Sequence, residues 1–104
     1  MTPQSKITGY YNSREVFIDG ELLSPSYSQR VYNHSPDGFM WGFSGSGPAQ
    51  LALALLLEMT GRNEALELYQ EFKRKFIATL TPNDFEINAK EMYEWLENRR
   101  KNNG

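Results

Sequence analysis

The chain has no cysteine, one histidine and no long apolar run, and each shortage removes a class of function. Without cysteine there is no disulfide, no thiolate metal site and no cysteine nucleophile. His34 stands alone and no paired-carboxylate motif replaces the missing ligands, so neither metal nor cofactor is expected. The longest apolar run, Leu51–Leu57, falls far short of the roughly 20 residues that cross a bilayer. Met1–Tyr10 carries no continuous apolar stretch of the signal-peptide kind. These absences predict a cytoplasmic protein with no membrane partner. Basic residues do not dominate either: 11 Lys and Arg stand against 13 Asp and Glu, a net charge of −2. General nucleic-acid binding, which needs a dominant basic surface, is therefore not expected.

What is present suits one small folded domain. Its 104 residues are 39% hydrophobic and 13% aromatic, enough for a single core of modest reserve. Residues 1–6 read as a loose tail, 7–98 as an α+β domain, and 99–104 as a basic, fraying end. Ile7–Tyr11 is predicted as a first strand. Glu15–Asp19 alternates as a second strand, and Asp19-Gly20 is a tight-turn pair that returns the chain through Glu21–Leu23. Ser28–Asn33 fits either a strand or an irregular loop. Phe39–Phe43 reads as a strand with Phe39, Trp41 and Phe43 on one face.

The second half is helical. A helix is predicted from about Pro48 to Thr60, closed by Gly61 as a left-handed cap. Only Gln50 and Glu58 are polar between Ala49 and Met59, so this helix should be buried nearly all round. A second helix is expected from Glu64 to Leu80, capped by Asn63, with a buried stripe of Ala65, Tyr69, Phe72, Phe76 and Leu80. Phe85–Ile87 reads as a short edge strand. A third helix opens at Asn88, with Glu91 in capping-box position. The expected architecture is a small antiparallel sheet from the N-terminal half against about three C-terminal helices, the first of them buried.

The segment richest in chemistry is Trp41-Gly-Phe-Ser-Gly-Ser-Gly-Pro-Ala-Gln50, a glycine-rich turn opening into a helix. The first amides of a helix lack internal partners and carry partial positive charge, and glycine permits close approach. An anion fits such a place. Candidate donors are the amides of Ser46, Gly47, Ala49 and Gln50 and the hydroxyls of Ser44 and Ser46, with Gly45 shaping the turn. The plainer reading is structural: small residues let the helix start press on the sheet, with Ser46 as cap. The segment is neither a P-loop nor a dinucleotide fingerprint. Around it, Arg14 and Arg30 offer guanidinium groups, His34 offers a proton or a phosphate contact, and Trp41 and Tyr10 offer rings. The competing accounts are solvated strand-end charges, a turn histidine and core or sheet aromatics. Ser46, His34 and Asp37 are the residue types of a hydrolase, but Ser46 lacks the G-x-S-x-G elbow.

The run from Trp41 to Leu56, together with Tyr10, Arg14, the Val16–Leu22 hairpin, His34-Ser-Pro-Asp-Gly-Phe39 and Tyr69–Lys73, resembles the signature of the DUF6166 family. The resemblance covers about Ile7 to Leu96. It departs at Phe43, where the family pattern has tyrosine, so the turn lacks a hydroxyl there. The resemblance implies a small accessory protein of bacteria, phages and mobile elements, and brings no established activity. Proteins of that context are frequently inhibitors or sponges acting against host defence.

Three functions compete on the sequence. The first is a non-enzymatic binding protein, acting alone or as a homo-oligomer, that holds an anionic or nucleotide-like ligand at the Ser44–Gln50 turn. In a virus-encoded protein this would sequester a defence signal. The second is an inhibitor that binds a host defence protein. The third is a small hydrolase.

Overall fold

The computed structural model describes residues 1–103; Gly104, the last residue of the expected fraying end, lies outside the described residues. Four strands form one antiparallel sheet: β1 (Lys6–Tyr10), β2 (Glu15–Ile18), β3 (Glu21–Leu22) and β4 (Phe85–Asn88), in the order β3-β2-β1-β4. The β2–β3 pairing leaves only Asp19 and Gly20 in the turn. Both have positive φ (52° and 82°), the mirror-image turn that matches strand twist. Asp19 also ties the turn to β1, because its carboxylate accepts the Lys6 amide at 2.9 Å. That bond, with a second from the Ser5 hydroxyl, holds the Asp19 carboxyl below its ordinary pKa.

Period-two alternation divides the sheet. Ile7, Gly9 and Val16 are buried, while Lys6, Tyr10 and Glu15 are exposed. The buried face meets a helical layer: α1 (Ser26–Val31), α2 (Ser46–Met59), α3 (Arg62–Phe72), a π-helical turn (Lys73–Ile77) and α4 (Lys90–Asn103). Every residue of α2 from Pro48 to Leu56 is buried, so α2 is the central element that its composition predicts. Burial of Leu51, Leu53, Leu55 and Leu56 contributes roughly 1.5–3 kcal/mol each, opposed by the entropy of ordering the chain.

Several local expectations change. Residues 26–31 form a helix instead of a strand or loop: Ser24 Oγ accepts the Ser26 amide, and Ser28 Oγ donates to Pro25 O. Phe39–Phe43 is not a strand. Gly42 has φ 86° and packs against Pro82, which turns the chain so that Phe39 and Trp41 are buried while Phe43 is exposed. Gly61 is extended (φ −76°, ψ 167°) and precedes α3, because α2 has already ended at Thr60, whose amide donates to Leu56 O. α3 therefore opens at Arg62, not behind an Asn63 cap. It widens at Lys73 into the π turn, closed by Ala78 N–H to Lys73 O at 2.9 Å, while Ile77 O accepts the Gly42 amide at 3.1 Å.

Residues 1–5 are drawn into the domain: Ser5 is buried, its carbonyl accepts the Ala89 amide, and Tyr93 Oη donates to Met1 O. Residues 99–103 continue α4, because Arg99 and Arg100 reach across to Glu71 and Glu64 of α3. No helix among the described residues is long and apolar enough to cross a membrane.

Candidate functional site

α2 begins at Ser46 with Gly45 as N-cap in an extended conformation. No side chain caps it and its first turn holds no acid, so the macrodipole is uncompensated there. Of the four amides expected as donors, Ala49 N–H is already bonded to Gly45 O at 3.0 Å. The Gln50 amide lies a full turn inside the helix, where amides bond back along the chain. Pro48 has none. The available donors are Ser46 and Gly47. Ser46 and Ser44 are not buried, and the ring of Phe43 lies over Gly45. Gly47 is required by packing: a Cβ there would stand 2.7 Å from Met40 Cβ and 3.0 Å from Met40 N. The structural account of this turn therefore holds for Gly47, which is pressed against Met40.

Gln50 is a staple, not a ligand contact. It is fully buried, its Oε1 accepts the amides of His34 (2.7 Å) and Ser35 (3.0 Å), and its Nε2 donates to Ser28 Oγ (3.0 Å) and Tyr32 O (3.1 Å). Both ends of the side-chain amide are satisfied within the protein, as burial requires. The consequence is positional. Ser46 lies one helical turn ahead of Gln50 on the same side of α2, about 6 Å along the axis. The loop that Gln50 holds, residues 32–35, is therefore brought beside the start of the helix.

That loop carries His34. Its ring stacks on Tyr32 at 4.2 Å and 13°, and its Nε2 lies 2.6 Å from Tyr69 Oη. Burial first, and the nearby Lys73 charge second, hold the imidazole below its ordinary pKa of 6.5, so it is neutral at pH 7. The outer Tyr32 face is open, the residue being 54% exposed. Tyr69 and Lys73 sit four apart on one helical side and both address His34. That spacing was legible in the sequence, but it carried no functional signal by itself, and Tyr69 read as core.

The other expected contributors lie elsewhere. Trp41 is fully buried, edge-on to Tyr11 and Phe85, with Nε1 donating to Asn83 O at 2.8 Å, so it fixes the turn from below. Tyr10 is on the outer sheet face against Phe17. Arg30 folds over Tyr27 on α1. Arg14 lines a cleft with Asp37 and Phe39 that includes no residue of the turn. Of the residues expected at the site, His34 is joined to α2 through the Gln50 side chain, and none of the contacts made by Arg14, Arg30 or Tyr10 reaches the turn. No hydrogen bond among the described residues links Ser46, His34 and Asp37; His34 instead addresses Tyr69. No cluster of metal-ligating side chains occurs among the described residues.

No curated protein and no solved structure matches the chain. A family profile does match, over residues 8–98, which is nearly the whole domain and contains every residue of the α2 start and of the loop stapled to it. The chain belongs to DUF6166, a family of unknown function.

Proposed function

We propose that this protein is a small non-enzymatic binding protein that takes an anionic, nucleotide-like ligand at the start of α2. The observation that carries the reading is the uncapped, acid-free first turn of a buried 14-residue helix whose Gln50 holds the loop that carries the Tyr32–His34 stack. The Ser46 and Gly47 amides address a phosphate, and the Ser44 and Ser46 hydroxyls lie on the same turn. The open Tyr32 face takes a base by stacking, and Lys73 supplies the cation that the turn itself lacks. Sequestration, not turnover, is the role proposed, of the kind that removes a signalling nucleotide. For a protein encoded by a phage or another mobile element, that signal would belong to host defence.

Ser46→Asp tests this directly, because it separates folding from binding. An acid at the first position of α2 complements the dipole and stabilises the fold by about 0.5 kcal/mol, yet it places a negative charge where the ligand phosphate would sit. With the wild type, a panel of mono- and dinucleotides and inorganic phosphate is scored by melting temperature. A nucleotide at about a hundred times its Kd adds about 2.7 kcal/mol, a shift of several degrees for a domain of this size. The Ser46→Asp variant melts slightly higher alone and shows no ligand shift. A wild type indifferent to the whole panel, or a ligand shift that survives in the variant, refutes the proposal.

A further inference from the structure

A cleft of 210 Å³ lies apart from the α2 turn and includes none of its residues. Arg14 and Asp37 line it together with Leu22, Leu23, Pro25 and Phe39. Its three walls are fixed by backbone hydrogen bonds: Arg14 N–H to Tyr10 O (2.8 Å), Leu23 N–H to Val16 O (2.8 Å) and Gly38 N–H to Ser35 O (3.2 Å). Arg14 is held at φ 64°, a left-handed conformation that non-glycine residues adopt at a cost. Among the described residues neither the Arg14 guanidinium nor the Asp37 carboxylate makes an ion pair or a side-chain hydrogen bond. Both residues line one cavity. Glu15, also in the wall, adds a second carboxylate.

We propose that this cleft binds a small zwitterion of the free α-amino-acid class with an apolar side chain. Arg14 takes the carboxylate in its two-pronged donor geometry. Asp37, with Glu15 beside it, takes the ammonium. Leu22, Leu23, Pro25 and Phe39 receive the apolar side chain. The volume lies below the roughly 300 Å³ at which pockets for drug-sized ligands begin, which suits a guest as small as an amino acid.

The test uses calorimetry on the full chain with L-leucine, L-leucinamide (no carboxylate) and 4-methylpentanoate (no ammonium). Leucine binds, and each analogue loses about tenfold or more, the worth of one charge-assisted hydrogen bond. Arg14→Gly removes the guanidinium while glycine tolerates the left-handed φ, and Asp37→Asn neutralises the carboxylate. Circular dichroism checks that both variants keep the wild-type fold, and both lose leucine affinity by the same order. Ser46→Asp leaves leucine binding intact, so failure here is distinct from failure at the α2 turn. Absence of leucine binding by the wild type, equal binding of the three compounds, or unchanged affinity in both folded variants overturns the proposal.

Discussion

At its C-terminal end α2 is closed by side chains of other elements, whereas at its N-terminal end no side chain caps it. Beyond Met59, Thr60 Oγ1 donates to Glu64, and Arg100 grips the same carboxylate with Nε to Oε2 at 3.1 Å and Nη2 to Oε1 at 2.8 Å while also reaching Thr60 Oγ1. Three elements are locked there through charge and hydroxyl groups. Before Ser46 no side chain performs that service, and the buried polar side chain of the first turns, Gln50, faces inward to hold a loop. One end is finished for stability. The other has no side-chain cap, and its buried polar group, Gln50, holds a loop.

The comparison is broken most severely at Gln50. Gln50→Leu keeps the bulk but strands the His34 and Ser35 amides and the Tyr32 carbonyl, at about 1–3 kcal/mol for each buried group left unpaired. A loss of about 3 kcal/mol or more is expected in urea denaturation, a large share of the roughly 5–15 kcal/mol that domains possess. A loss below about 1 kcal/mol would show that water replaces the staple and that the loop is not held by it.

At the closed end the effect is smaller. Arg100→Ala costs about 1 kcal/mol or less, since both partners of the ion pair are partly exposed. It also changes the acid limb. The Arg100 hydrogen bond first, and the Thr60 hydroxyl second, hold the Glu64 carboxyl below its ordinary pKa of 4.5. Its contribution is present above 4.5 and is lost as pH falls through the depressed folded value. Melting curves taken downward from about pH 5 should therefore fall more steeply for the wild type than for Arg100→Ala; parallel curves would remove the closed end from the comparison.

The smallest effect belongs to His34 at the open end. Its folded pKa is lowered, so the unfolded chain binds the proton first as pH falls through 6.5. Stability is unaffected above that value and declines below it until the folded ring also protonates. The slope should vanish in His34→Gln and shrink in Lys73→Ala, where one of the two causes is removed. NMR titration of the imidazole gives the folded value directly, and a value at or above 6.5 contradicts the burial of the ring.

Much of the fold was legible because its signals are local. Asp19-Gly20 needs only two residues able to take positive φ, and the flanking alternation supplies the strands it joins. α2 announces its burial by having almost nothing polar to show to water. Phe85–Ile87 reads as an edge strand, and the sheet ends on β4 at that place. The misreadings share a different cause. Ser28–Asn33 contains residues compatible with a strand or a loop, and Ser28–Val31 is helical where Ser28 meets Gln50, 22 positions away. Phe39, Trp41 and Phe43 alternate correctly for a strand, but the left-handed Gly42 against Pro82 overrides the alternation. Gly61 has the composition of a left-handed cap and the geometry of an extended joint, because Thr60 and Glu64 had already settled the helix end.

By itself the sequence determined the class of the fold, the buried helix and the glycine-rich turn where a ligand was to be sought, since each depends on neighbours in the chain. Only the tertiary structure decided where the expected side chains lie. Gln50 went inward, Arg14 went to another cleft, and Tyr32, Tyr69 and Lys73 came to His34. Such assignments follow from hydrogen bonds and packing between distant segments, whose free energies exist only once the chain has closed on itself.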